Sequence, residues 1–257
     1  MIRTLWVGLA ALGMTLYWGP VILFNAALKR RDDDWYCRAT RSWAGAVIRA
    51  SGCPVVIHGQ EHVRPGVPQV IASNHVSWFD VFAIASTLEV PFHFVAKKEL
   101  MRIPLFGRAM EAAGHIVIDR SNRERALDSL RAAGELIRHT PGAVVIFPEG
   151  TRSSTGRLQP FKKGAFMLAA EAGVPVVPAA VTGSFQIMPS GSWRIHRNTI
   201  HLHYLEPVHP EESPGLEPLM QRVWTAIAAV VEPEVMTLPE ASASARAGEA
   251  AAPSPGE

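Results

Sequence analysis

His75 and Asp80 are the residues of this chain whose types and spacing point most directly to chemistry. They lie in the stretch Ser73–Asp80 between two apolar runs, which predicts a buried strand, a polar turn and the start of a helix. A neutral imidazole accepts a proton near neutral pH, and a carboxylate on its second nitrogen fixes the tautomer and stabilises the imidazolium. Residues at this spacing do not share a helix face, so the pairing requires His75 on the turn and Asp80 in the first helical turn. We interpret the pair as a general base and the carboxylate that orients it.

A second interpretation of the same stretch involves no chemistry. Asn74 and Ser77 are common turn and capping residues, and an aspartate such as Asp80 favours a helix N-terminus, so that His75 would be incidental. The other strand-like segments argue against this interpretation, because polar groups follow several of them.

Cations follow three other strand-like segments, as Lys97, Arg120 and Arg152. Ligands of α/β sheets bind outside the carboxyl ends of the strands, so we expect these cations to converge near His75. Together they form a pocket suited to a phosphate monoester, which the Lys162-Lys163 pair extends. The alternative is that each is a solvated surface charge.

The rest of the central region alternates between strand-like and helix-like segments. Strands are predicted at 54–58, 69–72, 92–96, 115–118, 143–147, 174–181 and 199–205, and helices at 122–139, 164–172 and 217–231. This alternation predicts an α/β domain over residues 51–236, with helices on both faces of its sheet. Residues 237–257 have nothing to bury and are predicted to be a disordered tail.

Residues 1–50 have the pattern of a membrane anchor. The stretch Thr4–Leu28 carries no charge, and the basic cluster Lys29-Arg30-Arg31 after it predicts that the downstream domain stays in the cytoplasm. A cleaved signal peptide is disfavoured, because no small-residue cleavage site follows the apolar stretch. Pro20 either kinks the helix or ends it halfway, in which case the segment dips into one leaflet.

A second helix is predicted directly after this stretch. Its apolar face comprises Tyr36, Ala39, Trp43 and Val47, while arginines lie elsewhere around the helix. An aromatic and apolar face opposite arginines is typical of an interfacial helix. The alternative is an ordinary surface helix that packs on the globular domain.

Composition narrows the class of protein. The chain has 257 residues, 48% of them hydrophobic, a net charge of only +2 and a positive mean hydropathy of +0.11, which favours membrane association over nucleic-acid binding. Its two cysteines suit a reducing compartment. No His/Cys/Asp cluster with metal-ligand spacing is present, so no metal site is predicted, and four histidines are interpreted as surface or strand residues: His93, His139, His201 and His203.

Four ordered motifs resemble those of the glycerolipid acyltransferases, the 1-acyl-sn-glycerol-3-phosphate acyltransferase family. Asn74-His75-x4-Asp80 is similar to the first block of that family, and Phe147–Ser153, with the sequence Phe-Pro-Glu-Gly-Thr-Arg-Ser, is similar to the third. Gly114–Arg120 and Val174–Pro178 are similar to the second and fourth blocks. The resemblance spans about residues 70–182 and implies a mixed, largely parallel sheet covered by helices, after an N-terminal membrane-seated helical pair.

The resemblance also implies roles for individual residues. His75 is the catalytic base and Asp80 orients it. The substrate-binding set comprises Lys97, Arg120, Glu149, Gly150, Thr151 and Arg152, of which Lys97 is added from its position and charge alone. The second block departs from the family pattern at His115 and Val117, where a bulkier apolar pair is expected.

The implied activity is transfer of a fatty acyl group from acyl-CoA or acyl carrier protein to the free sn-2 hydroxyl of 1-acyl-sn-glycerol-3-phosphate (lysophosphatidic acid), giving phosphatidic acid. The thioester is already activated, so no covalent enzyme intermediate and no cofactor are expected. The expected partners are the lipid acceptor, the acyl donor and the bilayer surface, with no nucleic acid. The expected location is the inner (cytoplasmic) membrane, with the catalytic domain on the cytoplasmic side.

Three alternatives stay open from the sequence. The same chemistry would serve another acceptor, a lysophospholipid or a lyso-aminolipid such as lyso-ornithine lipid. A thioesterase or esterase is disfavoured because the chain lacks a G-x-S-x-G elbow. A non-catalytic membrane-binding module is the third. Acyl-chain preference is expected to depend on the depth of a tunnel, set by the chain segment from Trp78 to Met110 and by the N-terminal helices.

Overall fold

A computed structural model describes residues 1–30, 32–119, 129, 133–135, 137–138 and 141–236. The strands of this part of the chain are β1 (Val55–His58), β2 (Gln69–Ser73), β3 (Phe92–Lys97), β4 (Ile116–Ile118), β5 (Ala143–Ile146), β6 (Val176–Thr182) and β7 (Ile200–Tyr204). The helices are α1 (Ile2–Ala27), α2 (Asp33–Ser51), α3 (Trp78–Thr87), α4 (Phe106–Ala112), α5 (Gly164–Ala172), α6 (Ser184–Ile187) and α7 (Leu216–Met236). Short 3-10 turns lie at Gln60–His62, Lys98–Arg102 and Pro210–Glu212.

The described strands form one sheet in the order β1-β7-β6-β2-β5-β3-β4. Neighbouring strands are parallel except β6 and β7, so β1 and β7 run opposite to the other five. The predicted mixed, largely parallel sheet is confirmed. Because β2, β3, β5 and β6 run in the same direction, the loops that follow them meet at one edge of the sheet.

The sheet separates two hydrophobic cores. Strand β2 is buried along its whole length, and because successive side chains point to opposite faces, Val70 enters one core and Ile71 the other. Helices α2 and α3 cover the Ile71 face, where Phe79 is fully buried. Helices α5 and α7 cover the Val70 face, where Phe166 and Val223 are fully buried.

Most predicted segments lie within two residues of the observed ones. Helix α5 has the predicted bounds and ends at Gly173, whose φ of 68° suits a residue without a Cβ. Of the helix predicted at 122–139, the described residues 133–135 and 137–138 are helical. The predicted tail at 237–257 lies outside the described residues.

Helix α1 is apolar and largely exposed. It continues through Pro20, so of the two possibilities left open at that residue, the one in which the helix ends halfway is wrong. At about 1.5 Å per residue its 26 residues extend about 39 Å, and by length and composition it is able to cross a membrane. Its exposed large side chains include Leu5, Trp6, Leu9, Leu12, Leu16, Tyr17 and Phe24.

Helix α2 lies against α1 and α3, and its apolar face points into the protein. Tyr36, Ala39 and Val47 are buried, and the Trp43 indole donates a hydrogen bond to Thr15 of α1 at 3.0 Å. The structure therefore supports the alternative interpretation of this segment, a helix packed on the globular domain, over an interfacial helix. The exposed apolar surface of residues 1–50 is mainly that of α1.

Candidate active site

The structure joins His75 and Asp80 in the predicted way. His75 follows β2, Asp80 lies in the first turn of α3, and Nδ1 of the imidazole is 2.9 Å from Oδ2 of the carboxylate. The His75 ring stacks on Phe147, with centroids 4.1 Å apart. Since Nδ1 faces the carboxylate, Nε2 is the ring nitrogen that can take a proton from a bound substrate.

Asp80 is fully buried, and hydrogen-bond donors surround it. Its Oδ2 also accepts from the backbone N–H groups of Val76 (2.7 Å) and Ser77 (2.8 Å), and its Oδ1 accepts from the Ser184 hydroxyl. Ser77 is the N-cap of α3, and with Asp80 it forms a reciprocal capping box. The capping and the chemical interpretations of this stretch are therefore compatible, because the Asp80 carboxylate both caps the N-terminus of α3 and orients the imidazole.

The loop after β5 holds the backbone of His75 from the opposite side. The His75 N–H donates to Oε1 of Glu149 at 2.6 Å, and the His75 carbonyl accepts from the Ser153 N–H at 2.8 Å. Asn74 is buried and binds both backbone groups of Val181 on β6, at 2.9 and 2.7 Å. Three neighbouring strands thus fix the position of the imidazole.

Glu149 occupies a place that the sequence did not predict. Its side chain is buried beneath the loop, and Oε2 accepts hydrogen bonds from the side chain and backbone of Gln159, at 3.0 and 3.2 Å. Burial raises the pKa of Glu149 to about 7, against the opposing effect of the hydrogen bonds from His75 and Gln159. It does not line the cavity beside His75. The structure therefore corrects the expectation that Glu149 contacts the acceptor, and points to a positioning role.

A cavity of about 560 Å³ opens at His75. Four residues of the predicted substrate-binding set line it together with His75, namely Lys97, Gly150, Thr151 and Arg152. The remainder of the wall is largely apolar and comes mainly from α1, α2, α3, α4 and β3, including Trp18, Gly19, Ile22, Ala39, Trp43, Phe82, Phe94, Phe106, Ala109 and Met110. The arrangement places a base and cations at one part of an apolar chamber, which suits an amphiphilic substrate.

The cations of the cavity differ in how they are held. The Arg152 guanidinium lies over the Trp78 ring, 4.9 Å from its centroid, and partial burial lowers its pKa without removing its charge. Lys97 is half-exposed, with its Nζ 4.0 Å from Glu99. Arg120 lies outside the described residues.

Of Lys162 and Lys163, which were expected to extend the pocket, only Lys162 lies beside Gly150 in the loop after β5. A Cβ at Gly150 would lie 2.7 Å from the Nζ of Lys162, and the φ of Gly150 is +76°, so this position requires glycine. Lys163 instead pairs with Glu217 of α7.

Several supporting residues were not predicted. Ser184 donates a hydrogen bond to the buried carboxylate of Asp80, and Gln159 donates to that of Glu149. The Trp78 ring lies beneath the Arg152 guanidinium. Ser184 lies two residues beyond the end of β6, so its position near a strand end was a usable signal, whereas nothing local marks Gln159. His115 lines the cavity, and burial lowers its pKa to about 3; its Nδ1 accepts from the Phe94 N–H, which leaves Nε2 as the protonated nitrogen.

The expectation that no cluster of metal-ligating side chains exists is wrong. His58 of β1 lies beside His201 and His203 of β7, away from the cavity. His201 and His203 are strand residues, as predicted, and His93 is buried, but His139 lies outside the described residues. No local pattern indicates this cluster, because it depends on the pairing of two strands that are distant in the chain.

Comparison with known proteins identifies this fold, with a histidine and an aspartate at the carboxyl edge of its sheet, as that of an acyltransferase. Residues 54–182 match the family model described as Acyltransferase. The chain is also similar to the crystal structure of the 1-acyl-sn-glycerophosphate acyltransferase PlsC from Thermotoga maritima, with a TM-score of 0.79 and 27% identity, over 90% of this chain and 94% of that one.

Curated relatives narrow the class. A 1-acyl-sn-glycerol-3-phosphate acyltransferase of Pseudomonas aeruginosa is 32% identical over 198 residues, which cover 77% of this chain and 74% of the relative. One of Limnanthes alba is 38% identical over 168 residues, which cover 65% of this chain and only 59% of the relative's length. The chain belongs to the 1-acyl-sn-glycerol-3-phosphate acyltransferase family.

Proposed function

We propose that this protein transfers a fatty acyl group from acyl-CoA or acyl carrier protein to the sn-2 hydroxyl of lysophosphatidic acid, giving phosphatidic acid. The observation that carries the proposal is the 2.9 Å contact between His75 and Asp80 at a largely apolar cavity that Lys97 and Arg152 also line. The names of the relatives support the acceptor, since those proteins act on 1-acyl-sn-glycerol-3-phosphate.

In the proposed reaction His75 is the general base. Its Nε2 takes the proton of the acceptor hydroxyl as the oxygen attacks the thioester carbonyl, while Asp80 stabilises the imidazolium through Nδ1. The tetrahedral intermediate then collapses, the carbon–sulfur bond breaks, and the thiolate takes the proton from the imidazolium. No covalent enzyme intermediate forms, because the thioester is already activated.

The remaining groups bind and position. Arg152 and Lys97 bind the phosphate of the acceptor, and Lys162 adds a third positive charge near Gly150. Thr151 and the Gly150 backbone line the acceptor site, and Arg120 is proposed to complete it. Glu149 acts through His75, because it binds the N–H of that residue rather than facing the cavity.

The protein is proposed to act at the inner membrane, with its active site on the cytoplasmic side. The exposed apolar surface of α1 supports membrane association, and the cavity wall includes α1 residues such as Trp18 and Ile22. A lipid acceptor would then reach His75 from the bilayer without crossing water. The basic residues that follow α1, beginning at Lys29, favour the cytoplasmic side.

The test is the activity of His75→Ala in the purified full-length protein. Release of the free thiol and formation of phosphatidic acid are measured together with acyl-CoA or acyl carrier protein as donor. We expect His75→Ala to lower the rate by about 10²–10⁴-fold, the usual contribution of a general base. His209→Ala, a partly exposed histidine outside the cavity, is the control.

Two results would reject the proposal. Full acyl transfer by His75→Ala would show that His75 is not the general base. Free fatty acid as the only product of the wild type would indicate a thioesterase. A panel of lyso-acceptors in the same assay separates lysophosphatidic acid from lysophospholipids and lyso-aminolipids. A preferred acceptor without a phosphate monoester would contradict the role given to Arg152 and Lys97.

A further inference from the structure

Three histidines meet on a part of the sheet that the proposed reaction does not use. His58 ends the edge strand β1, and its register partner on the parallel strand β7 is His203. His201 lies two residues earlier on β7 and therefore points to the same face of the sheet as His203. His58 is exposed and the other two are half-buried, and none of the three lines the active-site cavity.

The spacing of their ring nitrogens is close to that of a metal site. Nε2 of His58 is 3.4 Å from Nδ1 of His201, and one nitrogen from each of the three rings lies within 4.8 Å of the others. Two nitrogens that are each about 2.0–2.1 Å from a tetrahedral zinc ion lie about 3.4 Å apart. One pair therefore already has the required separation, and His203 needs to approach by a side-chain rotation.

The backbone holds the two strands together at this point. Gly59 follows His58 with a φ of +69°, and a Cβ there would lie 2.1 Å from the carbonyl oxygen of Tyr204. Only a glycine permits this approach, so the end of β1 is fixed against the end of β7. The ligands are thus brought together by the fold rather than by the ion.

The imidazoles are chemically suited to a metal. A neutral imidazole presents a lone pair that binds transition metals, and the fold brings three such side chains together here. The rings of His58 and His203 stack with centroids 4.3 Å apart, so one of these rings must turn about its side-chain bonds before both lone pairs point to the same ion. Three imidazoles with no carboxylate favour zinc, nickel or copper over magnesium or calcium.

We propose that His58, His201 and His203 bind one divalent transition-metal ion, with zinc as the best match, and that the ion ties the edge strand β1 to β7. Three protein ligands leave a fourth coordination position for water, as tetrahedral zinc allows. A bound ion would stabilise the pairing of β1 with its single neighbour, because ions that bind only the folded chain shift the unfolding equilibrium.

The experiment uses the full-length chain, purified in detergent without a histidine tag and stripped with a chelator. Zinc binding is measured by equilibrium dialysis with elemental analysis, and unfolding is followed with and without zinc. We expect one equivalent of zinc per chain and a higher unfolding temperature with zinc but not with magnesium. X-ray absorption at the zinc edge should report nitrogen ligands of the imidazole type.

Single substitutions locate the site. His58→Ala and His201→Ala should each weaken zinc binding by about 10–100-fold or more, since even the loss of an outer-shell partner has an effect of this size. His196→Ala is the matched control, because His196 is an exposed histidine outside the cluster. Equal unfolding temperatures of the variants in chelator show that they fold, and His58→Phe, which keeps a stacking ring, replaces His58→Ala if that variant does not.

Three results would overturn the proposal. The first is a wild type that binds no zinc above the level of the His58 variant. The second is a loss of zinc in His196→Ala equal to that in His58→Ala. The third is an absorption spectrum without imidazole ligands. Because none of these measurements uses acyl transfer, they test the metal site independently of the proposed activity.

Discussion

At the scale of single residues, the site depends on how completely His75 is held. Its ring nitrogen binds Asp80, its N–H binds Glu149 and its carbonyl binds Ser153. Asp80 lies in the first turn of α3, whereas Glu149 and Ser153 lie in the loop after β5. Each of the three groups binds a different atom of His75. The two buried carboxylates therefore have separable functions, one acting on the imidazole and the other on the backbone.

Asp80→Asn tests the first function. An amide can keep its oxygen toward the Val76 and Ser77 N–H groups and donate to Ser184, so the fold should survive while the charge is lost. We expect a fall in kcat of about 10²–10⁴-fold with little change in KM, because the imidazolium loses its stabilising carboxylate. An Asp80→Asn enzyme with unchanged kcat and an intact fold would contradict the orienting role.

Glu149→Gln tests the second function through pH dependence. Burial raises the pKa of Glu149 from 4.5 to about 7, so the folded chain holds this proton more tightly than the unfolded chain. The associated stability is present below about pH 4.5 and is lost as the pH rises through about 7, by up to about 3 kcal/mol. The amide does not titrate in this range.

The measurement is the free energy of unfolding of both proteins between pH 4.5 and 7.5. Because the wild type alone loses this contribution, its stability relative to Glu149→Gln should fall as the pH rises. The amide cannot accept at both ends, so a pH-independent loss of stability in Glu149→Gln is expected in addition to this pH-dependent change. Parallel curves would show that the carboxylate is ionised throughout this range.

At the scale of elements, α1 is joined to the globular domain by close packing at a small residue. Gly19 of α1 is buried, and a Cβ there would lie 2.5 Å from Cγ of Leu105, just before α4. Leu105 itself has a φ of 63°, which is uncommon for a leucine and fixes the direction in which α4 begins. The contact brings α1 to the cavity, whose wall includes Gly19.

Gly19→Ala and Gly13→Ala form a matched pair on this helix. A Cβ at Gly13 meets nothing within 4 Å, so Gly13→Ala should be neutral or stabilise the helix by up to about 1 kcal/mol. Gly19→Ala should instead destabilise the protein by about 1–3 kcal/mol, the usual effect of overpacking. Thermal unfolding of both variants in one detergent checks this, and equal shifts would show that α1 is not packed at Gly19.

At the scale of the whole molecule, the cavity connects parts that lie far apart in the sequence. Its polar end comes from the loops after β2 and β5 and from Lys97 at the end of β3, and its apolar wall comes from α1, α2, α3, α4 and β3. The N-terminal helices are therefore part of the proposed substrate chamber, and α1 is also the proposed attachment to the bilayer. Small side chains in the apolar wall, such as Ala39 and Ala109, leave space that an acyl chain would fill.

Ala109→Leu tests this view of the chamber. The larger side chain should fill space that two or more methylene groups of the acyl chain would otherwise occupy. We expect the preference to shift toward shorter acyl donors by about 10-fold or more. Ala112→Leu, on the same helix but not in the cavity wall, is the control. Rates with a series of acyl-CoA chain lengths measure the effect, and identical profiles for the two variants would place the acyl chain elsewhere.

Much of the fold and part of the site were readable from local patterns. The helix over Gly164–Ala172 was predicted with its observed bounds, because apolar periodicity and a terminal glycine are local properties of the chain. The contact between His75 and Asp80 was predicted for the same reason, since a strand, a turn and a helix start all lie within one short stretch.

Other features depend on which surfaces meet. The apolar face of α2 has the composition of an interfacial helix, but the protein rather than the bilayer covers it, and composition does not distinguish these two environments. Glu149 follows a strand in the same way as Arg152, yet the turn at Gly150 directs one side chain beneath the loop and the other into the cavity. Side-chain direction in such a turn depends on dihedral angles that sequence spacing does not reveal.

By itself, then, the sequence determined the order of the motifs, the alternation of strands and helices, and the pairing of the base with its carboxylate, all of which are encoded within a few residues. Only the tertiary structure decided that Glu149 holds the backbone of His75, 74 residues away, and that His58 lies beside His201, 143 residues away. The physical reason is that strand order and register are set by the burial of whole faces, which leaves no local signature at the residues that are brought together.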